Sequence, residues 1–167
     1  MVILETDRLV LKEADLDDEH FFFELLNSPG WIKYIGDRGI ESIDDARKYI
    51  RESLINSYKE NGFGLYKMVS KKENSSIGIC GLLKRPGLSN PDIGFAILPA
   101  YERKGYTYEA AKAILEYGIS TLGLKTILAI TTKKNTGSRK LLEKIGLRFV
   151  DKIKLEVDGE ELLRYSN

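Results

Sequence analysis

The stretch ILPAYERKGYTYEAAKAILEYG, residues 97 to 118, joins an apolar, strand-like run to a helical pattern through two basic residues and a glycine. A strand that ends where a helix begins leaves backbone N–H groups unpaired and aimed outward, with the helix dipole behind them. Arg103 and Lys104 add positive charge and Gly105 permits close backbone approach, so the junction suits a bound anion. A basic turn that caps an acidic neighbour uses the same residues equally well. The spacings of a phosphate-binding P-loop and of a dinucleotide fingerprint are both absent. A second helical opening, NTGSRKLLEKIG, follows the next apolar run, and both helix starts are expected at the strand ends where α/β sheets bind ligands.

Other reactive side chains are few. Cys80 is the only cysteine and His20 the only histidine, which removes disulfides and any cysteine-based zinc site. Cys80 lies in the apolar run IGICGLL and reads as a buried, inert thiol; His20, on an amphipathic helix, reads as a surface or packed residue and a weak candidate base. No metal is expected. Lys and Arg total 26 against 25 Asp and Glu, interspersed along the chain, which argues against a nucleic-acid or membrane-surface binder. No segment approaches the roughly 18 apolar residues of a membrane span and none resembles a signal peptide, so the expected location is cytoplasmic. With 167 residues, 43% hydrophobic and 31% charged, the chain is expected to fold as one domain over residues 1–167.

The elements that must position the junction follow from hydrophobic period. RLVLKEA reads as a first strand; DLDDEHFFFELL as an acidic helix start with an apolar stripe, stopped at Asn27-Ser28-Pro29-Gly30. Ser42 and Asp45 form a capping-box-like opening to a helix that ends near Gly62. FGLYKMVS, SIGICGLLK and DIGFAIL shift to period two and form an antiparallel meander, the last nearly all apolar and therefore central. Ala111, Ile114, Leu115, Gly118, Ile119 and Leu122 then share one helix face. KTILAIT reads as a buried strand reached from DIGFAIL by a right-handed crossover, residues 135 to 146 as a helix with Asn135 at its N-cap, and the end as a hairpin turning at Asp158-Gly159. The expected order is βααβββαβαββ, an α/β mixed sheet flanked by helices.

With these elements in place, LETDRLVLKEADLDD, DIGFAILPAYERKGYTYEAA, NTGSRKLLEKIGLRFV and DGEELLRYS together resemble the GNAT N-acetyltransferase superfamily, and within it the RimJ/RimL type of ribosomal-protein N-acetyltransferases. Of the family's pyrophosphate loop, Gln/Arg-x-x-Gly-x-Gly/Ala, only the central glycine is kept: Glu102, Gly105 and Thr107 occupy the marked positions, and Arg103 stands where the branch commonly has another glycine. The resemblance implies a cleft between DIGFAIL and KTILAIT that holds acetyl-CoA as co-substrate. Its pantetheine arm would pair with backbone near Ile97 and Leu98, and its pyrophosphate would meet Arg103, Lys104, Gly105, Tyr106, Thr107 and Tyr108.

The implied reaction is transfer of an acetyl group to a primary amine, on a protein or peptide N-terminus or a small molecule, by direct attack in a ternary complex. A lysine-type amine has a pKa of about 10.4 and an α-amino group about 8, so the site needs a proton acceptor. The resemblance points to Asp92, where the branch often has a Glu; a strand-end aspartate facing solvent is the simpler account. It also points to Ser138 as the hydroxyl that stabilises the departing thiolate, with Asn135 three residues before it, although the pair equally suits an ordinary helix cap. A backbone N–H near Leu98 would polarise the acetyl carbonyl. Trp31 and Tyr34 stand where the branch shapes its acceptor pocket, or else cover the core. Two other readings are a non-catalytic acyl-CoA-binding module of the same fold and an interaction domain without a CoA site. The state is expected to be monomer or homodimer.

Overall fold

A computed structural model describes residues 1–167. Eight strands form one sheet in the order β1-β2-β3-β4-β5-β6-β8-β7. The N-terminus supplies two strands where one was expected. β1 (Val2–Glu5) turns at Thr6-Asp7-Arg8 and pairs antiparallel with β2 (Leu9–Lys12). β1 is an edge strand exposed at both ends, so its short VILE run carries no alternation that sequence reading could use.

The helices α1 (Glu19–Leu26), α2 (Pro29–Tyr34) and α3 (Ile43–Tyr49) follow. Pro29 does more than end α1: it occupies the first turn of α2, where its missing N–H costs nothing. The capping box of α3 forms as expected, Ser42 accepting from Asp45 N and Asp45 accepting from Ser42 N. α3 runs on through a π-helical segment (Ile50–Ile55) into α4 (Asn56–Asn61), which Gly62 terminates with φ 77°.

β3 (Leu65–Ser70), β4 (Ser75–Leu83) and β5 (Asp92–Ile97) make the antiparallel meander. The crossover helix α5 (Tyr106–Ser120) delivers β6 (Leu128–Thr131) parallel to β5, and α6 (Thr136–Lys144) leads to β7 (Arg148–Ile153) and β8 (Leu162–Ser166). β8 inserts between β6 and β7. The final hairpin is looser than expected: both strands stop short, and Gly159 donates to Glu156 O within a longer connection.

Apolar residues pack on both faces of the sheet, which is why the central strands read as nearly continuous hydrophobic runs. One core joins Tyr66, Cys80, Leu82 and Ile93 to Ile114, Leu115 and Leu142; the other joins Leu65, Ile79 and Leu98 to Phe22, Trp31, Tyr49 and Leu54. Each such side chain contributes roughly 1.5–3 kcal/mol when removed from water. The buried stripe of α5 is Ala110, Ala111, Ile114, Leu115 and Gly118, whereas Ile119 lies 44% exposed. Burial also holds the Cys80 thiol protonated, as an inert core residue requires.

Candidate active site

β5 and β6 are bonded in register at a single pair, Asp92 with Leu128, and then part company. Asp92 and Ile93 are buried, but Gly94, Phe95, Ala96 and Ile97 are only half-buried, so a wedge opens toward the C-terminal ends of the two strands. The N–H of Leu98 points the other way, donating to Ile77 O at 2.8 Å, and is not free to polarise a carbonyl. Alternation along β5 turns the N–H groups of Phe95 and Ile97 away from β4 and toward the wedge instead.

Past the wedge, Arg103 (φ 61°) and Gly105 (φ 81°) both adopt left-handed backbone. The amides of Arg103, Lys104, Gly105, Tyr106, Thr107 and Tyr108 donate to no protein acceptor; helical bonding begins at Glu109, whose N–H reaches Gly105 O. Such a run of outward N–H groups is a nest for an anion. The left-handed turn also explains why a glycine is favoured at position 103.

This nest is braced by residues that sequence reading missed. Arg8, in the β1–β2 turn, donates through Nη1 to Lys104 O at 2.9 Å and through Nε to Glu109 Oε1 at 2.8 Å, and its guanidinium lies 4.2 Å from the Tyr106 ring centroid. Glu109 also accepts from Arg8 N and Thr6 Oγ1. Burial pushes the Glu109 carboxyl up, but the bonds from Thr6 and Arg8 outweigh it and hold the group below its ordinary range. Nothing local in the sequence connects Arg8 to a helix residue 101 positions away.

Asn135 caps α6, its Oδ1 accepting from Ser138 N at 3.1 Å. The bond uses the serine's backbone and leaves Oγ, half-buried, without a protein partner. Both helices follow the C-terminal ends of the parallel strands β5 and β6. Lys144, the last residue of α6, places Nζ 4.2 Å from the Tyr108 ring centroid. Ser138 lies ~9 Å back along the helix axis.

Asp92 is fully buried, not facing solvent. Arg85 Nε donates to both its oxygens, at 3.0 and 2.9 Å. Desolvation dominates and raises the Asp92 pKa to about 6, with Arg85 opposing. The carboxyl sits at the vertex of the wedge, where β5 and β6 still pair.

The two residues expected at the acceptor side separate. Trp31 is 4% exposed and packs edge-on against Tyr49, ring centroids 6.4 Å apart. Tyr34 stays 37% exposed beneath Lys33. Arg38, from the loop after α2, lies 6.0 Å from the Tyr49 ring centroid. His20 is exposed beside Glu19, away from these groups.

Residues 8–148 match the acetyltransferase (GNAT) domain family. The chain belongs to this family. It is 30% identical over 145 residues to the uncharacterized N-acetyltransferase YnaD of Bacillus subtilis, covering 87% of this chain and 82% of that one. A GNAT-family acetyltransferase structure from Bacillus anthracis superposes with TM-score 0.81 at 26% identity, covering 100% and 98% of the two chains. RimL, a ribosomal L7/L12 alpha-N-protein acetyltransferase solved with coenzyme A, has the same fold, with TM-score 0.84 at 14% identity over 100% and 97%. The mixed sheet with its parted parallel strands is the GNAT fold, and the chain is an acetyltransferase. None of its helices is long and apolar enough to cross a membrane.

Proposed function

We propose that this acetyltransferase moves the acetyl group of acetyl-CoA onto a primary amine by direct attack in a ternary complex, in a single domain of the RimJ/RimL-like kind. The unpaired amide run from Arg103 to Tyr108, at the mouth of the β5–β6 wedge, carries the reading. It is built for a diphosphate, and its preorganised N–H groups need no side chain to neutralise charge. The coenzyme A bound by RimL supports the same ligand here.

Each residue then has a defined task. The outward N–H groups of Phe95 and Ile97 hold the extended arm and polarise the acetyl carbonyl. Ser138 Oγ, free of protein partners, donates to sulfur as the thiolate leaves. Asp92, ionised above a pH of about 6, accepts the amine proton through water at the wedge vertex. No covalent acetyl-enzyme is needed, since the one thiol, Cys80, is buried in the core.

Calorimetric titration with acetyl-CoA, dephospho-CoA and ATP tests the reading. Micromolar binding of acetyl-CoA but not ATP, followed by turnover on an amine panel, is expected. Absence of acetyl-CoA binding would overturn it.

A further inference from the structure

Three groups with no assigned part in acetyl transfer, Arg85, Arg38 and Tyr49, meet Trp31 near the wedge vertex. Arg85 uses only Nε on Asp92, leaving both terminal nitrogens without a protein acceptor, and its side chain is 34% exposed. Arg38 is exposed, makes no ion pair, and lies over the Tyr49 ring. The adjacent Asp37 does not neutralise it, accepting instead from Gly39 N. Tyr49 is 9% exposed and its hydroxyl hydrogen-bonds to nothing in the protein, while both arginine charges act on it against the larger effect of burial. Trp31, packed edge-on against Tyr49, has the one buried side-chain polar atom without a partner, its Nε1.

All these groups donate hydrogen bonds. An orphaned buried donor is costly, and two guanidinium groups, only one of them paired with a carboxylate, lie around one phenol. Such a set is complementary to a planar anion, which guanidinium forks recognise with two parallel bonds. Asp92, bonded to Arg85, is at the same place, so an acceptor held by Arg85 brings its amine toward the group that takes the proton.

We propose that the acetyl acceptor is an amine that carries a carboxylate, and that Arg85 and Arg38 bind that carboxylate beside Tyr49 and Trp31. This deepens the reading above and rests on it. Arg85 has two tasks: Nε positions Asp92, and the terminal nitrogens face the ligand. The loop after α2, which carries Arg38, is thereby a specificity device, selecting for charge close to the nucleophile.

Trp31 is the only tryptophan in the chain, so its emission reports occupancy without turnover. The probes are free α-, β- and γ-amino acids and their carboxamides, each titrated against Trp31 fluorescence and assayed with acetyl-CoA. Saturable emission changes are expected for the acids, with binding and kcat/KM about 10-fold or more above the matching amides. Arg38→Glu should abolish or reverse that preference. Arg85→Lys retains an ion pair with Asp92 but loses the fork, and should flatten the preference in a folded protein. Equal response to acids and amides, or Arg38→Glu with the preference unchanged, would overturn the assignment. Turnover on amides alone would sink this inference while leaving the acetyl-transfer reading standing. Loss of acetyl-CoA binding would sink that reading, and the fluorescence titration would still decide whether the carboxylate site exists.

Discussion

Arg8 Nε lies 2.8 Å from Glu109 Oε1, tying the first hairpin of the sheet to the first turn of α5 across 101 residues of chain. Arg8 Nη1 also donates to Lys104 O, so one side chain ties the β1–β2 turn to the amide run.

Arg8→Ala is therefore expected to raise KM for acetyl-CoA several-fold with kcat little changed. Arg8 is 43% exposed, so the ion pair itself contributes at most about 1 kcal/mol to stability. Initial-rate kinetics beside thermal melts check this; a large fall in melting temperature with unaltered KM would mean that Arg8 serves the fold and not the loop.

Position 105 tolerates little. At φ 81° an alanine is strained by about 1–2 kcal/mol, and its Cβ would stand 3.3 Å from Arg8 Nη2. Gly105→Ala should weaken acetyl-CoA binding about 10-fold, because both the turn and its brace must shift. Arg103→Gly should act oppositely on the backbone, relieving about 1 kcal/mol of strain at φ 61°. Calorimetry and chemical denaturation on the two variants separate the effects.

Ser138 and Asn135 can be told apart. Ser138→Ala keeps the cap, because the bond to Asn135 uses the serine N–H, and it should lower kcat about 10- to 100-fold with melting temperature unchanged. Asn135→Ala removes the cap and should cost about 1 kcal/mol of stability. Full activity in Ser138→Ala would discard the hydroxyl as the thiolate's donor.

Asp92 is expected to couple activity to pH. Its pKa, raised from 3.8 to about 6 in the fold, means that the native state binds the extra proton more tightly than the unfolded chain. The group's stabilising contribution is therefore complete below about 4 and is lost as pH rises through about 6. Activity should run the other way, kcat/KM rising through about 6 as the base ionises, with that limb missing in Asp92→Asn. A wild-type rate profile flat between pH 5 and 7 would remove Asp92 as the base.

The helices other than α2, the meander, the crossover and the junction at Gly105 were legible in the sequence because each depends on local chemistry: hydrophobic period, the Ser42–Asp45 capping box, the Asn135 cap and the break after Pro99. Family resemblance named the acetyltransferase family from the same residues. Tertiary structure alone decided which backbone N–H faces the wedge, since Leu98 and Ile97 differ only in the partner that strand register assigns them. It also decided that Asp92 is buried against Arg85, that Lys144 lies over the Tyr108 ring, and that Arg8 braces a loop 96 residues away. Those relationships join residues far apart in the chain, and no periodicity or spacing within a window encodes them. Local sequence specifies what each segment can offer, and the packing of the sheet specifies what it meets.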